Sequence, residues 1–317
     1  MIFAAVAPIF VAIALGFLLR RTKVLTEEAD RSLLRICVNL LYPCLIANSI
    51  LGNELLREGV NLWLTPLTGV VMVGLGYLVS FFGARALRIP HGPGNCETRT
   101  FIYITGLYNY GYTAIPLVEK LFGAKTLGVL FTHNLGVEIA FWAGAGLILA
   151  GGGQTRNKPI WRQILSTPVI AILASVVLNF FHPKQFLPDW IFGGLGMIGA
   201  AAIPMALLLT GATLSDLVAE AGFSRSRTVA AAGASVIRLG VLPLVFIAVA
   251  RWLPCPVELK QVLIVQAAMP CAMLPVVLTK HYGGDSAMAV QIVFMTTALS
   301  LLTIPYWIDF GMKFAGL

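Results

Sequence analysis

Along this chain the apolar residues gather into long blocks, with polar and charged residues collected between them rather than spaced along one face. A hydrocarbon core about 30 Å thick takes roughly 20 apolar residues to cross as a helix, so blocks of that length read as membrane spans. Ten segments can be marked, at about 2–20, 33–51, 62–84, 100–121, 126–150, 164–181, 190–214, 228–250, 260–279 and 286–310. The pattern predicts an all-α polytopic membrane protein with ten transmembrane helices. The first block, MIFAAVAPIFVAIALGFLLRR, carries its positive charges after the apolar run, which suits an uncleaved first helix rather than a signal peptide.

Two segments carry helix breakers where lipid offers the backbone no partner. Segment 4 contains GLYNYGYTAIPLVEK, Gly106 to Lys120, and segment 9 contains QAAMPCAMLPVVLTK, with Pro270 and Pro275 across its middle. Pro116 and Pro275 lack a backbone donor and clash with the preceding turn, and Gly111 loosens the backbone beside Asn109. The prolines also mark a repeat. Pro8 and Pro43 are 35 residues apart and Pro168 and Pro204 are 36 apart; Pro116 and Pro275 follow Pro43 and Pro204 by 73 and 71. The expected division is therefore 1–150 and 163–317, joined by a short link at 151–162. Five spans per copy is an odd number, so the second copy enters the membrane from the opposite side. Inverted repeats with broken helices at matched positions are a secondary-transporter architecture, in which the broken segments cross and bind substrate near the midplane.

Composition and charge sharpen this picture. Of 317 residues, 58% are hydrophobic and 11% charged, with mean hydropathy +0.86, against about a quarter charged in a soluble domain. With the N-terminus outside, Arg20, Arg21, Lys23, Arg31, Arg35, Arg85, Arg88, Arg99, Arg156, Lys158, Arg162, Arg225, Arg227 and Lys280 fall in inside loops, which is 14 of 22. Seven fall outside: Arg57, Lys120, Lys125, Lys184, Arg251, Lys260 and Lys313. The cytoplasmic excess of Lys and Arg thus predicts that both termini lie outside, in a plasma membrane. Orientation explains the net charge of +8, and no nucleic-acid partner is needed. The five cysteines include no CxxC pair and no metal-ligand spacing occurs, so neither a metal nor a cofactor is expected.

After each break a half-helix begins with proline near its first turn, and its N-terminal end carries roughly half a positive charge with free amide donors. An anion such as a carboxylate is the favoured guest, although the C-terminal ends of the preceding half-helices suit a cation. The expected binding residues are Asn109, Tyr110, Gly111 and Pro116 in segment 4, Gln266, Pro270, Cys271 and Pro275 in segment 9, with Asn48 and Asn134 as further carboxamides.

These motifs resemble the auxin efflux carrier family, the PIN-type carriers within the bile-acid, arsenite and riboflavin transporter superfamily. Asn109 followed by Pro116-Leu117 is similar to the family's segment 4. Gln266, Pro270, Pro275, Lys280 and Tyr282 resemble its segment 9, while Gly16, Thr26-Glu27-Glu28 and Pro43 resemble its first hairpin. Ala114 departs from the family's usual glycine, and the short link from the long loop of plant members. The resemblance implies a sodium/proton-antiporter-like elevator fold. Its scaffold would be segments 1, 2, 6 and 7, and its moving unit segments 3–5 and 8–10. It also implies a homodimer and a small organic anion as substrate, exported by a carrier.

Two charges sit deep inside spans: Glu138 in segment 5 and Arg238 in segment 8. Such ions are costly, and mark either a coupling site or a structural ion pair. The two are expected to interact directly or through water. His133, near Glu138, reads as a packed ring rather than a proton relay. An intramembrane enzyme is disfavoured, because no G-x-S-x-G, H-E-x-x-H or aspartate run occurs. A proton- or cation-coupled antiporter, a channel and a transporter-fold sensor remain as alternatives.

Overall fold

The computed structural model describes residues 2–89, 95–150, 164–220 and 225–317; the expected link at 151–162 lies outside them. The described residues are helical throughout, apart from turns and the two interruptions treated below. In chain order the helices are α1 (Ile2–Arg21), α2 (Glu27–Ile36), α3 (Tyr42–Ile50), α4 (Gly59–Ala86), α5 (Cys96–Gly106), α6 (Ala114–Gly144) and α7 (Thr167–Asn179). They continue as α8 (Asp189–Ala200), α9 (Ala202–Glu220), α10 (Arg225–Val236), α11 (Leu242–Trp252), α12 (Val257–Ala268), α13 (Leu274–His281) and α14 (Ser286–Ala315).

Six helical stretches among the described residues are long and apolar enough to cross a bilayer: Ile2–Arg21, Glu27–Ile50, Gly59–Ala86, Asp189–Ala219, Arg225–Trp252 and Ser286–Ala315. Helix α7, at 13 residues, is apolar but shorter than the expected segment 6.

Prolines shape the helices from upstream. A proline frees the carbonyl four residues before it, and the turn above must adjust. A π-turn at Cys37–Leu41 stands just ahead of Pro43, and another at Ile237–Val241 just ahead of Pro243. Ala201 interrupts the helix three residues before Pro204. Pro8, Pro66 and Pro305, by contrast, lie within continuous helices.

Two seams hold the bundle. Helix α1 packs on α9, and α4 packs on α6. A Cβ added at Gly211 would lie 1.9 Å from the Ile13 carbonyl oxygen, and one at Gly136 would lie 1.7 Å from that of Pro66. Glycine is therefore what lets these backbones touch, as small residues do where lipid provides no hydrophobic drive between helices. Arg20 at the end of α1 pairs with Asp30 of α2 and, at 3.1 Å, with Asp216 of α9.

Helix α6 contains a corner in the interval between the expected segments 4 and 5. Gly123, with φ 80° and ψ −177°, divides a short limb at 114–122 from the long remainder. That backbone conformation lies where L side chains are rarely tolerated, so glycine supplies the turn between one pass and the next.

Candidate functional site

Helix α5 ends at Gly106 and α6 starts at Ala114; α12 ends at Ala268 and α13 starts at Leu274. The intervening stretches, 107–113 and 269–273, meet each other. The Asn109 amide donates to the Pro270 carbonyl at 2.8 Å, and the Ala272 amide donates to the Leu107 carbonyl at 3.1 Å. These two bonds form an antiparallel bridge between Tyr108 and Cys271. Two backbone groups of each interruption are thus satisfied by the other, as the membrane interior demands of freed peptide groups. The irregular stretches stop short of Pro116 and Pro275, which lie within the first turn of the resumed helices. Proline is well tolerated there because its missing donor would have no intrahelical partner.

Side chains buttress the bridge from both sides. Arg238, wholly buried, reaches from the π-turn of the α10–α11 helix to the end of α12. Its Nε donates to the Met269 carbonyl at 2.9 Å, and its Nη2 to those of Gln266 and Ala267, both at 3.2 Å. Its guanidinium lies over the rings of Tyr108 and Phe246, 5.5 and 5.2 Å from their centres. A cation at a helix C-terminus meets the negative end of the dipole as well as the orphan carbonyls, although Arg238 Nη1 is buried without a hydrogen-bond partner among the described residues.

On the other side, the Thr68 hydroxyl donates to the Thr65 carbonyl at 2.6 Å. With that proton committed, Thr68 Oγ1, 3.0 Å from His133 Nδ1, accepts from Nδ1–H. His133 Nε2 then holds a lone pair and accepts from the Tyr108 hydroxyl at 3.0 Å. With Nδ1 donating to Thr68 and Nε2 accepting from Tyr108 as a neutral ring does, His133 acts as a strut between α4 and the bridge.

Glu138 and Arg238 make no direct contact of the expected kind. Among the described residues no ion pair joins them. Arg238 is compensated by backbone carbonyls instead, while Glu138 Oε1 accepts from the Tyr110 hydroxyl at 2.8 Å. Carbonyl oxygens freed by a broken helix form a ready-made acceptor set for a guanidinium, and they remove the need for a carboxylate.

Beside the bridge lies a cavity of about 350 Å³. Asn109, Tyr110 and Gly111 line it from the first interruption, Ala272 and Met273 from the second, and Asn134 and Glu138 from α6. Leu34, Val38, Tyr42 and Ile46 close it from the α2–α3 helix, and Pro168, Val169 and Ile172 from α7. The lining runs to Ser166 at the start of α7 and to Trp142 near the end of α6, the ends that flank the stretch at 151–163. A polar cluster forms its floor: Asn134 Nδ2 donates to the Tyr110 carbonyl at 3.0 Å, and Gln266 Nε2 to Asn134 Oδ1 at 3.3 Å. The carboxamide of Asn109 donates to Thr113 Oγ1 at 3.2 Å rather than capping the helix that follows.

Of the residues singled out from sequence, Asn109, Tyr110, Gly111, Asn134 and Glu138 line the cavity. Gln266 meets Asn134 from behind, Pro270 and Cys271 belong to the bridge, and Pro116 and Pro275 start the resumed helices. Asn48 does not line the cavity: it faces α8, where a Cβ on Gly196 would lie 3.7 Å from its Oδ1. Two positions past the cavity-facing Ile46 is about 200° around a helix, which turns Asn48 to the opposite side. The aromatic lining by Tyr42, Tyr112, Phe131 and Trp142 goes beyond the sequence reading. The i, i+4 run Leu34, Val38, Tyr42, Ile46 was its available signal.

Comparison with known proteins follows this geometry. A family model described as membrane transport protein matches residues 1–158 and 154–308. An uncharacterized transporter of Methanothermobacter thermautotrophicus is 28% identical over 306 residues, covering 95% of this chain and 96% of that protein. A second, from Methanocaldococcus jannaschii, is 24% identical over 308 residues, covering 94% and 95%. A probable potassium transport system protein Kup of Pseudomonas fluorescens is 27% identical over 216 residues, 64% of this chain but 32% of that protein.

Proposed function

The chain belongs to the membrane transport protein family, and from that premise we propose that it is a secondary carrier of a small organic anion, working by elevator-type alternating access. The observation that carries this reading is the cavity beside the bridge, onto which the starts of two half-helices open through Tyr112 and Ile115 of one and Met273 and Leu274 of the other. Their free amides and positive dipole ends suit a carboxylate, and the aromatic walls suit an apolar body attached to it.

In this reading the two copies, 1–150 and 163–317, are inverted repeats, with ten spans in all. Segments 1, 2, 6 and 7 form a scaffold, through which two chains pair as a homodimer. The remaining segments carry the bridge and move. The cavity is lined at the ends of α6 and α7 that the charge census assigns to the cytoplasm, so the conformation would load from inside, as an exporter at a bacterial inner membrane would. Asn109 and Asn134 orient the carboxylate, Tyr110 and Gly111 shape the floor, and Arg238 is a positioning residue that holds the bridge.

A cationic substrate is the second reading, favoured by Glu138 being the charged side chain among those that line the cavity. Counterflow in proteoliposomes separates the two. Purified protein preloaded with an unlabelled mono- or dicarboxylate should accumulate the labelled one and saturate. Accumulation of organic cations instead, or unsaturable conductance, would overturn the anion carrier.

A further inference from the structure

We propose that an organic anion enters this cavity together with one proton, which Glu138 takes up, so that the carboxyl is neutral whenever the cavity is filled. The inference rests on the anion reading above and adds its coupling chemistry.

Charge balance leads to it. The walls supplied by the α2–α3 helix, α7 and the second interruption bring no charged side chain to the cavity. Arg238 is turned to the carbonyls of Gln266, Ala267 and Met269 and does not line it. Among the described residues, what remains positive is the pair of helix starts, about half a charge each, and these roughly balance an ionised Glu138. A monoanion added to that balance leaves about one negative charge without compensation among apolar walls, where charges are poorly screened. A proton on Glu138 restores it.

The carboxyl is placed to work in both states. Its Oε1 accepts from the Tyr110 hydroxyl at 2.8 Å, a bond that is stronger to the ionised carboxylate but that a protonated carboxyl keeps through its carbonyl oxygen. The Trp142 indole also donates to this carboxyl, and the oxygen that Tyr110 does not hold is the one to receive the proton from water; as O–H it donates to the ligand carboxylate. The proton ends on Glu138, the anion keeps its charge, and no other group changes state. The neighbouring titratable groups are Tyr103 on α5, Tyr110 and Tyr112 in the first interruption, and Tyr42 and Cys37 on the α2–α3 helix. Phenols ordinarily ionise only near pH 10, so the tyrosines do not supply this proton exchange. His133, on α6 itself, is engaged by Thr68 and Tyr108.

The test is titration calorimetry of the purified full-length protein in detergent, with benzoate, phenylacetate and malonate as probes. Each is run in two buffers of different ionisation enthalpy, on either side of neutral pH. The wild type should take up about one proton per bound anion and lose about tenfold in affinity per pH unit above neutrality. Glu138→Gln should bind with no proton uptake and no such slope, and Glu138→Asp should restore both. Buffer-independent heats for the wild type, or proton uptake retained in Glu138→Gln, would overturn the proposal while leaving an anion site intact. Binding of none of the three probes by folded wild type, or binding of benzylammonium with proton release, would remove the anion reading and this inference with it.

Discussion

Neutralising Arg238 should destabilise the protein whether or not Glu138 is also neutralised. Arg238→Met keeps most of the buried volume but removes donors from three carbonyls at the end of α12. Hydrogen bonds to a charged group are each worth about 1.5–3 kcal/mol, so the gross loss is about 4–9 kcal/mol. Relief from burying the guanidinium returns part of it, and a net cost of about 2–4 kcal/mol is expected from the carbonyls left without donors. Glu138→Gln keeps an acceptor for Tyr110 and should cost about 1 kcal/mol or less, the worth of a neutral hydrogen bond. Because the two side chains share no partner, the double variant should show the sum to within about 0.5 kcal/mol. A denaturation series in mixed micelles on wild type, both single variants and the double measures the coupling. If Glu138→Gln rescues Arg238→Met by more than about 1 kcal/mol, the two charges are an ion pair after all and the carbonyl account is wrong.

Asn109→Asp should leave thermal stability nearly unchanged, since its side chain contacts Thr113 rather than the helix backbone, yet abolish anion binding near neutral pH. Asn109→Ala should weaken binding by roughly 1–3 kcal/mol, the cost of an unsatisfied polar partner, and wild-type binding by the Asp variant would exclude Asn109 from the site. Gly136→Ala should lower stability by about 1–3 kcal/mol or more through overpacking against Pro66, read as a drop in melting temperature; an unchanged melting point would refute the close seam. Cysteines introduced at Arg57 and Lys184 should be labelled from outside and those at Arg88 and Arg227 from inside, and any exchange of sides would break the inverted-repeat reading.

How far the sequence could be read depended on where each constraint is written. Proline and glycine declare a broken backbone locally, so the interruptions before Pro116 and Pro275 were visible as residues. Charge at depth was visible too, and singled out Glu138 and Arg238. The partner of Arg238 was not, because a carbonyl at a helix end has no letter of its own: every residue carries one, and only folding decides which are orphaned. The π-turns before Pro43 and Pro243 escaped for a similar reason, since a proline states that a helix must adjust but not how. Gly123 was one glycine among 31, and its left-handed conformation distinguishes it only in the fold. The cavity walls from the α2–α3 helix and α7 come from elements more than a hundred residues apart. Their stripe of Leu34, Val38, Tyr42 and Ile46 looks, in sequence, like any lipid-facing one.

The bridge between Tyr108 and Cys271 is made of main-chain atoms, and this bears on how such a protein can change over generations. A crossing held by amides and carbonyls, and buttressed by Arg238 and His133, survives replacement of the side chains that line the cavity, provided the chain can still turn. The residues that face the cavity are thereby released from holding the architecture together and are open to drift. Relatives could exchange one guest for another by altering a handful of wall positions, with the crossing inherited unaltered. Diversity of cargo on a constant frame is what a peptide-to-peptide joint at the heart of the molecule permits.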